Sequence, residues 1–229
     1  MNLWIYGDSF SVENNPDSGV EKTWTEIVAN ILGLKISNNA EHGISNDYLY
    51  KSILDDIESW GTGDCVIIQL TAPWRVWFFE HLPHLSNFTN CSLDSNLEDA
   101  QINAVDEYTK YLFNKEALMA QYYIIQSALK NLCLQRSDIK ILVLPGFHPV
   151  DDIPGTLSTI CMNEFENEAV STNFYKYWNM DPRINHLVED NHLILAERVC
   201  EFFIDGQLPD LVNGYATGVI TSKNYKDNG

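Results

Sequence analysis

A serine follows the first predicted strand of this chain, where its side chain could act as a nucleophile. Ser9 belongs to Gly7-Asp8-Ser9, which comes directly after the apolar run at residues 3–6. A serine at a strand-to-loop turn exposes its hydroxyl at the sheet edge, and its backbone N–H can face the same space. The alternative is a plain turn in which the Asp8 side chain accepts a backbone hydrogen bond. The position directly after a strand favours the nucleophile.

Three further polar segments lie after predicted strands or before the last predicted helix. Residues 39–46 contain Gly43, whose missing side chain would let the backbone approach a reacting carbonyl, although a plain loop glycine explains it equally well. Residues 69–75 follow the strongest predicted strand and read Gln69-Leu70-Thr71-Ala72-Pro73-Trp74-Arg75. Residues 181–187 read Asp181-Pro182-Arg183-Ile184-Asn185-His186-Leu187 and lead into the last helix.

These four segments, in this order, resemble the conserved blocks of the SGNH/GDSL hydrolase family, over residues 3 to about 203. The resemblance implies a flavodoxin-like fold, a three-layer α/β/α sandwich around a mostly parallel sheet. It also implies a serine esterase that acts by acyl transfer without a cofactor. Ser9 would attack, His186 would remove its proton and Asp181 would orient His186. The backbone N–H groups of Ser9 and Gly43 would hold the oxyanion.

The chain departs from the family pattern at two points. The third block lacks the usual asparagine, an oxyanion donor whose loss costs about 2.7–4 kcal/mol of transition-state stabilisation. Thr71 or Arg75 could replace it, or Asn46 could reach in from the second block, although a surface ion pair is an equal alternative for Arg75. The second departure is that Asp181 precedes His186 by five residues, so the loop between them has to bulge. These variant blocks also resemble short strings of SGNH-like proteins encoded by bacteriophages.

A second histidine offers an alternative base. Glu189 and His192 match the family's acid–base spacing, but His192 lies within the last predicted helix, where a packing or surface role is expected.

His81 and His84 could contribute to a zinc site with a carboxylate, but Pro83 between them opposes a helical pair of ligands. We therefore expect no metal and no cofactor.

The expected substrate is a small-molecule or carbohydrate ester. We expect Asp8, Trp74 and Arg75 to contact it. Aromatic residues at 74–79 could form a platform for a sugar ring, which makes an acylated carbohydrate one candidate, or they could belong to the core.

A second function class stays open. The missing asparagine and the displaced Asp181 would also suit a catalytically weak or inactive binding or structural module, for example in a virion.

Short apolar strands that alternate with amphipathic helices position these residues. Because such a pattern predicts a parallel sheet with helices on both faces, the strand ends that carry the site should share one edge. Strands are predicted at residues 3–6, 34–37, 65–70 and 139–144. Helices are predicted from residue 24 to 32, after Ser45 or Asn46, from 97 to 134 with a break near Asn114, around 163–170, and from 190 to 203. The inward-facing residues of the last helix should be Leu193, Ala196, Val199, Cys200 and Phe203.

Composition limits the possible partners. The 229 residues suit one domain, with an irregular aromatic-rich insertion at about 73–114 and a polar tail at about 215–229. The net charge of −18 repels nucleic acid and anionic lipid, so we expect neither as a partner. Five dispersed cysteines and no predicted signal peptide or membrane span indicate reduced thiols and a cytoplasmic location, or a virion if a phage encodes the chain.

Overall fold

Four parallel strands form the sheet of this protein. The structure is a computed structural model that describes residues 1–13, 22–86, 91, 96–145 and 189–206. The strands are β1 (Asn2–Tyr6), β2 (Lys35–Asn38), β3 (Cys65–Leu70) and β4 (Lys140–Pro145), and their order in the sheet is β2-β1-β3-β4. Every pairing is parallel. The predicted α/β class with a parallel sheet is therefore confirmed.

Five α-helices connect or follow these strands within the described part of the chain. They are α1 (Trp24–Leu32), α2 (Asn46–Asp56), α3 (Asp99–Tyr111), α4 (Lys115–Gln135) and α5 (Glu189–Asp205), and a 3₁₀ turn at Ile57–Ser59 extends α2. None of these helices combines the length and apolar character that a bilayer crossing needs. The predicted helix at 163–170 and the predicted tail at 215–229 lie outside the described residues.

Local sequence signals set the ends of the helices. The backbone N–H of Thr23 bonds the Glu26 side chain in a capping box at the start of α1, and Gly33 ends that helix at a φ of 63°. The break predicted near Asn114 is present, because the Asn114 side chain accepts hydrogen bonds from the N–H groups of Glu116 and Ala117 at the start of α4.

The two faces of the sheet bury separate hydrophobic cores. Since side chains alternate along a strand, Leu3 and Ile5 of β1 join one core and Tyr6 joins the other. The first core contains residues of α1 and α5, and the second contains residues of α2 and α4. A helix pair on each face is compatible with the expected α/β/α layering.

The buried face of α5 is rotated from the face that the sequence predicted. Ala196, Val199, Cys200 and Phe203 are buried as expected. Leu193 was expected to face inward but is 46% exposed, so that assignment is wrong. The buried face of α5 instead centres on positions 192, 196, 199 and 203, and Leu195 is buried at its edge. At 100° per residue, position 193 falls outside this stripe.

Four of the cysteines are described, and none of these four forms a disulfide: Cys65, Cys91, Cys133 and Cys200. Burial raises the pKa of Cys133 and of Cys200 to about 11. Thiols with such pKa values stay protonated at neutral pH and react slowly.

A buried carboxylate joins the amino ends of β1 and β3. Asp64 accepts hydrogen bonds from Asn2 N at 2.7 Å, Trp4 Nε1 at 2.9 Å and Gly61 N at 3.0 Å. Burial by itself raises the pKa of Asp64, but these donors outweigh it and hold the pKa below the ordinary value. The ionised form therefore stabilises the strand pair that carries the candidate site at its other end.

We expect Asp64→Asn to destabilise the protein by about 1.5–3 kcal/mol at neutral pH. The NH₂ group of the asparagine cannot accept the hydrogen bonds that one carboxylate oxygen of Asp64 accepts, so buried N–H donors lose their acceptor. The folded pKa is depressed, so the carboxylate's contribution is complete above the unfolded pKa and is lost as the pH falls through the folded pKa. Urea unfolding of both proteins between pH 7 and pH 3 measures this. The control Asp55→Asn, in the exposed Lys51–Asp55 pair, should change little. A stability difference for Asp64→Asn that is independent of pH would contradict the assignment.

Candidate functional site

The loops that follow β1, β2 and β3 meet at one edge of the sheet. Because the three strands are parallel neighbours, their carboxyl ends lie side by side. Two backbone hydrogen bonds extend the pairing of β1 and β2 into the loops: Asn39 N donates to Ile5 O at 2.8 Å, and Glu41 N donates to Gly7 O at 3.0 Å. The structure therefore brings together the segments that hold Ser9, Gly43 and Thr71.

Ser9 occupies the turn directly beyond β1 and is half-buried. Ser11 N donates to Asp8 O at 2.9 Å and closes the turn around it. Within the described part of the chain, no group hydrogen-bonds to Ser9 Oγ or to its backbone N–H. The hydroxyl and the N–H of this residue are thus both left unengaged by the described residues.

Gly7 is required by close packing rather than by an unusual backbone angle. A Cβ at this position would lie 2.9 Å from Ser11 Oγ and 3.0 Å from both Cβ and Oε1 of Gln69. The first contact is shorter than real Cβ atoms make and the other two are tighter than most, so a larger residue would force Ser11 or Gln69 to shift. Gly7 therefore lets the Ser9 turn lie directly against the end of β3.

Asp8 is fully buried, and its carboxylate faces the protein. One oxygen accepts from Phe10 N at 3.2 Å and Gln69 Nε2 at 3.0 Å, and the other accepts from Thr71 Oγ1 at 3.1 Å and Arg75 Nη1 at 3.0 Å. The bond to Phe10 is the turn hydrogen bond that the sequence offered as an alternative for Asp8. The Asp8 carboxylate is thus held by four donors from the protein, whereas the sequence predicted that it contacts a substrate.

Arg75 links the segments after all three strands through one nitrogen. Its Nη1 donates to Asp8 Oδ2, to Thr71 Oγ1 and to Ile44 O, the last at 3.2 Å. The Arg75 side chain is 16% exposed and that of Asp8 is 0% exposed. A surface ion pair, the alternative given for Arg75, therefore does not describe this contact.

Asn46 and Thr71 bind each other rather than pointing their donors at an open site. Asn46 Oδ1 accepts from Thr71 N at 2.8 Å, and Asn46 Nδ2 donates to Thr71 O at 2.9 Å. The Thr71 hydroxyl donates to Asp8. Both residues were expected as replacement oxyanion donors, but these contacts instead hold the loop after β3 against the start of α2.

Gly43 adopts a left-handed conformation with a φ of 68°, which favours glycine. Its carbonyl accepts a hydrogen bond from Ser86 Oγ, and Ser86 is buried. None of the described residues accepts a hydrogen bond from the Gly43 N–H. The Gly43 carbonyl is thus held by Ser86, while the Gly43 N–H is engaged by none of the described residues, as an oxyanion donor requires.

The aromatic segment after β3 divides between core and surface. Phe78 and Phe79 pack with Leu82, Leu85 and residues of α3 in a small separate core. Trp77 makes an edge contact with Tyr48, with ring centroids 5.1 Å apart. Trp74 is 40% exposed, and Lys115 Nζ lies 6.0 Å from its ring centroid. Of these side chains, that of Trp74 is the most exposed.

The four histidines considered from the sequence fall into three groups. His186 and Asp181, the predicted base and its orienting acid, lie outside the described residues. His192 is buried, and its Nδ1 accepts from Trp24 N at 3.0 Å at the start of α1. This contact matches the packing role proposed for His192. His81 and His84 belong to no cluster of three metal-ligating side chains in the described ranges.

Two further residues of the site were not singled out from the sequence. Gln69 donates to Asp8 and accepts from Ser11 Oγ, and both ends of its amide are buried. A polar residue inside the apolar run of β3 was the available signal for it. Ser86 has no such signal, because it lies in an irregular segment without periodicity.

Comparisons with known proteins add no family to this geometry. A scan against protein-family models finds no match, and a search of curated proteins finds no similar sequence.

Proposed function

We propose that this protein is a serine esterase with Ser9 as its nucleophile and a flavodoxin-like α/β/α fold of the SGNH type. The observation that carries the proposal is a set of three unengaged groups in the loops at one sheet edge. Ser9 Oγ has no hydrogen-bond partner in the described ranges, and neither do the N–H groups of Ser9 and Gly43. A nucleophilic oxygen beside two backbone donors is the arrangement that acyl transfer needs.

The proposed reaction has two steps. Ser9 Oγ bonds to the ester carbon while His186 takes the serine proton, and the carbonyl oxygen becomes an oxyanion held by the N–H groups of Ser9 and Gly43. The alcohol then leaves with the proton from His186. Water, deprotonated by His186, releases the acid and restores Ser9. Asp181 orients the His186 ring, and the proposed substrate is a small-molecule or carbohydrate ester.

A binding or structural module is the second candidate. The side chains of Asp8, Asn46 and Thr71 are all engaged by protein groups, which would suit a rigid edge without chemistry. The two candidates differ in the reactivity of Ser9, because only an activated serine forms a covalent adduct with an organophosphorus compound.

A fluorophosphonate probe is expected to label Ser9 and no other serine, since Ser9 is the proposed nucleophile and its hydroxyl is engaged by none of the described residues. Peptide mass spectrometry of the labelled protein locates the adduct, and Ser9→Ala should abolish it. Ser59→Ala, at an exposed serine in the 3₁₀ turn, is the matched control and should label like the wild type. Absence of labelling, under conditions in which a control esterase reacts, would favour the binding module.

A further inference from the structure

Arg75 bridges the two loops that carry the proposed oxyanion donors. Its Nη1 bonds to Asp8, the residue before Ser9, and to the carbonyl of Ile44, the residue after Gly43. The Nη1 atom of Arg75 thus holds the residue next to each proposed oxyanion donor. Neither loop belongs to a strand or helix at these positions, and the last backbone hydrogen bond between them within the described residues, from Glu41 N to Gly7 O, lies before both donors.

The Asp8 carboxylate, to which Arg75 binds, is buried and fully hydrogen-bonded. Besides Arg75, the Asp8 carboxylate binds Gln69 Nε2 and Phe10 N, and the Asp8 side chain is 0% exposed. A buried carboxylate is stable only when it is paired and fully hydrogen-bonded, so Asp8 and Arg75 depend on each other. Thr71 Oγ1 joins them by donating to Asp8 and accepting from Arg75.

We propose that Asp8 and Arg75 form a positioning clamp that holds the N–H groups of Ser9 and Gly43 at the separation the oxyanion requires. The proposal rests on the esterase function proposed above. Arg75 acts through the two loops and is a positioning residue, as is Asp8. A planar guanidinium suits this task because its donors keep fixed directions, whereas a lysine presents one rotating ammonium group on a flexible stem.

The opposite end of the sheet offers a matched arginine that cannot serve the site. Arg136 donates to Ile57 O at 3.2 Å, to Trp60 O at 3.0 Å and, through Nε, to Asp138 at 3.0 Å. Like Arg75, it therefore joins an aspartate to a backbone carbonyl of another loop, here at the end of α4 and before β4. A purely structural role predicts the same behaviour for both arginines.

The test compares Arg75→Lys with Arg136→Lys in hydrolysis of p-nitrophenyl acetate, with the folded fraction measured by circular dichroism. We expect Arg75→Lys to lower kcat by about 10²-fold with KM nearly unchanged, because a small misplacement of oxyanion donors costs about that much. Arg136→Lys should lower the melting temperature and leave kcat unchanged. Asp8→Asn combined with Arg75→Lys should cost little more than either change alone, since the two residues act as a unit.

The outcomes separate this proposal from the esterase function on which it rests. A fluorophosphonate adduct at Ser9 of the wild type, together with an unchanged kcat in Arg75→Lys, would overturn the clamp and leave the esterase function standing. A fall in activity that only follows the unfolded fraction would also overturn the clamp. A wild-type protein in which Ser9 does not react would overturn both.

Discussion

Replacement of Ser9 by alanine is expected to lower kcat for p-nitrophenyl acetate by about 10⁴–10⁶-fold, because the change removes the attacking oxygen. The free energy of unfolding should stay within about 0.5 kcal/mol of the wild-type value, since no described residue hydrogen-bonds to Ser9 Oγ. Steady-state kinetics and urea unfolding on the same preparation measure the two quantities. Loss of activity without loss of stability is the signature of a nucleophile.

Ser11→Ala is the matched control, two positions along the same turn. Ser11 is fully buried, and its hydroxyl donates to Gln69 Oε1. Its removal leaves that buried oxygen without its partner, which costs about 1–3 kcal/mol of stability. The loss of kcat should be far smaller than in Ser9→Ala. Retention of hydrolysis in Ser9→Ala would contradict the assignment of the nucleophile.

The sequence predicted the strands and helices well because their signals are local. A continuous apolar run predicted β3 at 65–70, and the structure has Cys65–Leu70. Thr23 and Gly33 indicated the two ends of α1 through capping chemistry that involves only neighbouring residues. The error at Leu193 has a different origin, because the rotation of α5 depends on how it packs on α1 and the sheet.

The positions of the site loops were also predictable, since parallel strands bring their carboxyl ends to one edge. The partners of Asp8 were not predictable. Gln69 and Arg75 lie 61 and 67 residues along the chain from it. Contacts at that separation depend on strand order and on side-chain packing, and neither leaves a periodic pattern in the sequence. The same reason explains why Ser86, which holds the Gly43 carbonyl, was missed.

Alanine substitutions of His186 and His192 should differ as those of the two serines do: one should lower kcat and the other should lower stability. We expect His186→Ala to lower kcat by about 10⁴–10⁶-fold, because the general base of a Ser–His pair contributes about as much as the nucleophile. His192→Ala should instead destabilise the protein by about 2–5 kcal/mol, since it empties a buried site and removes the acceptor of the Trp24 N–H. Hydrolysis per folded molecule should stay near the wild-type rate in His192→Ala.

The geometry of His192 explains why the two variants should differ. Its Nδ1 already accepts a hydrogen bond from the backbone at the start of α1, so that nitrogen is not open to an orienting carboxylate as a triad requires. His192 therefore contributes to the packing of α5 on α1, which leaves His186 as the base that the sequence favours. A His192→Ala protein that is folded and inactive, beside an active His186→Ala protein, would reverse the assignment and place the base within α5.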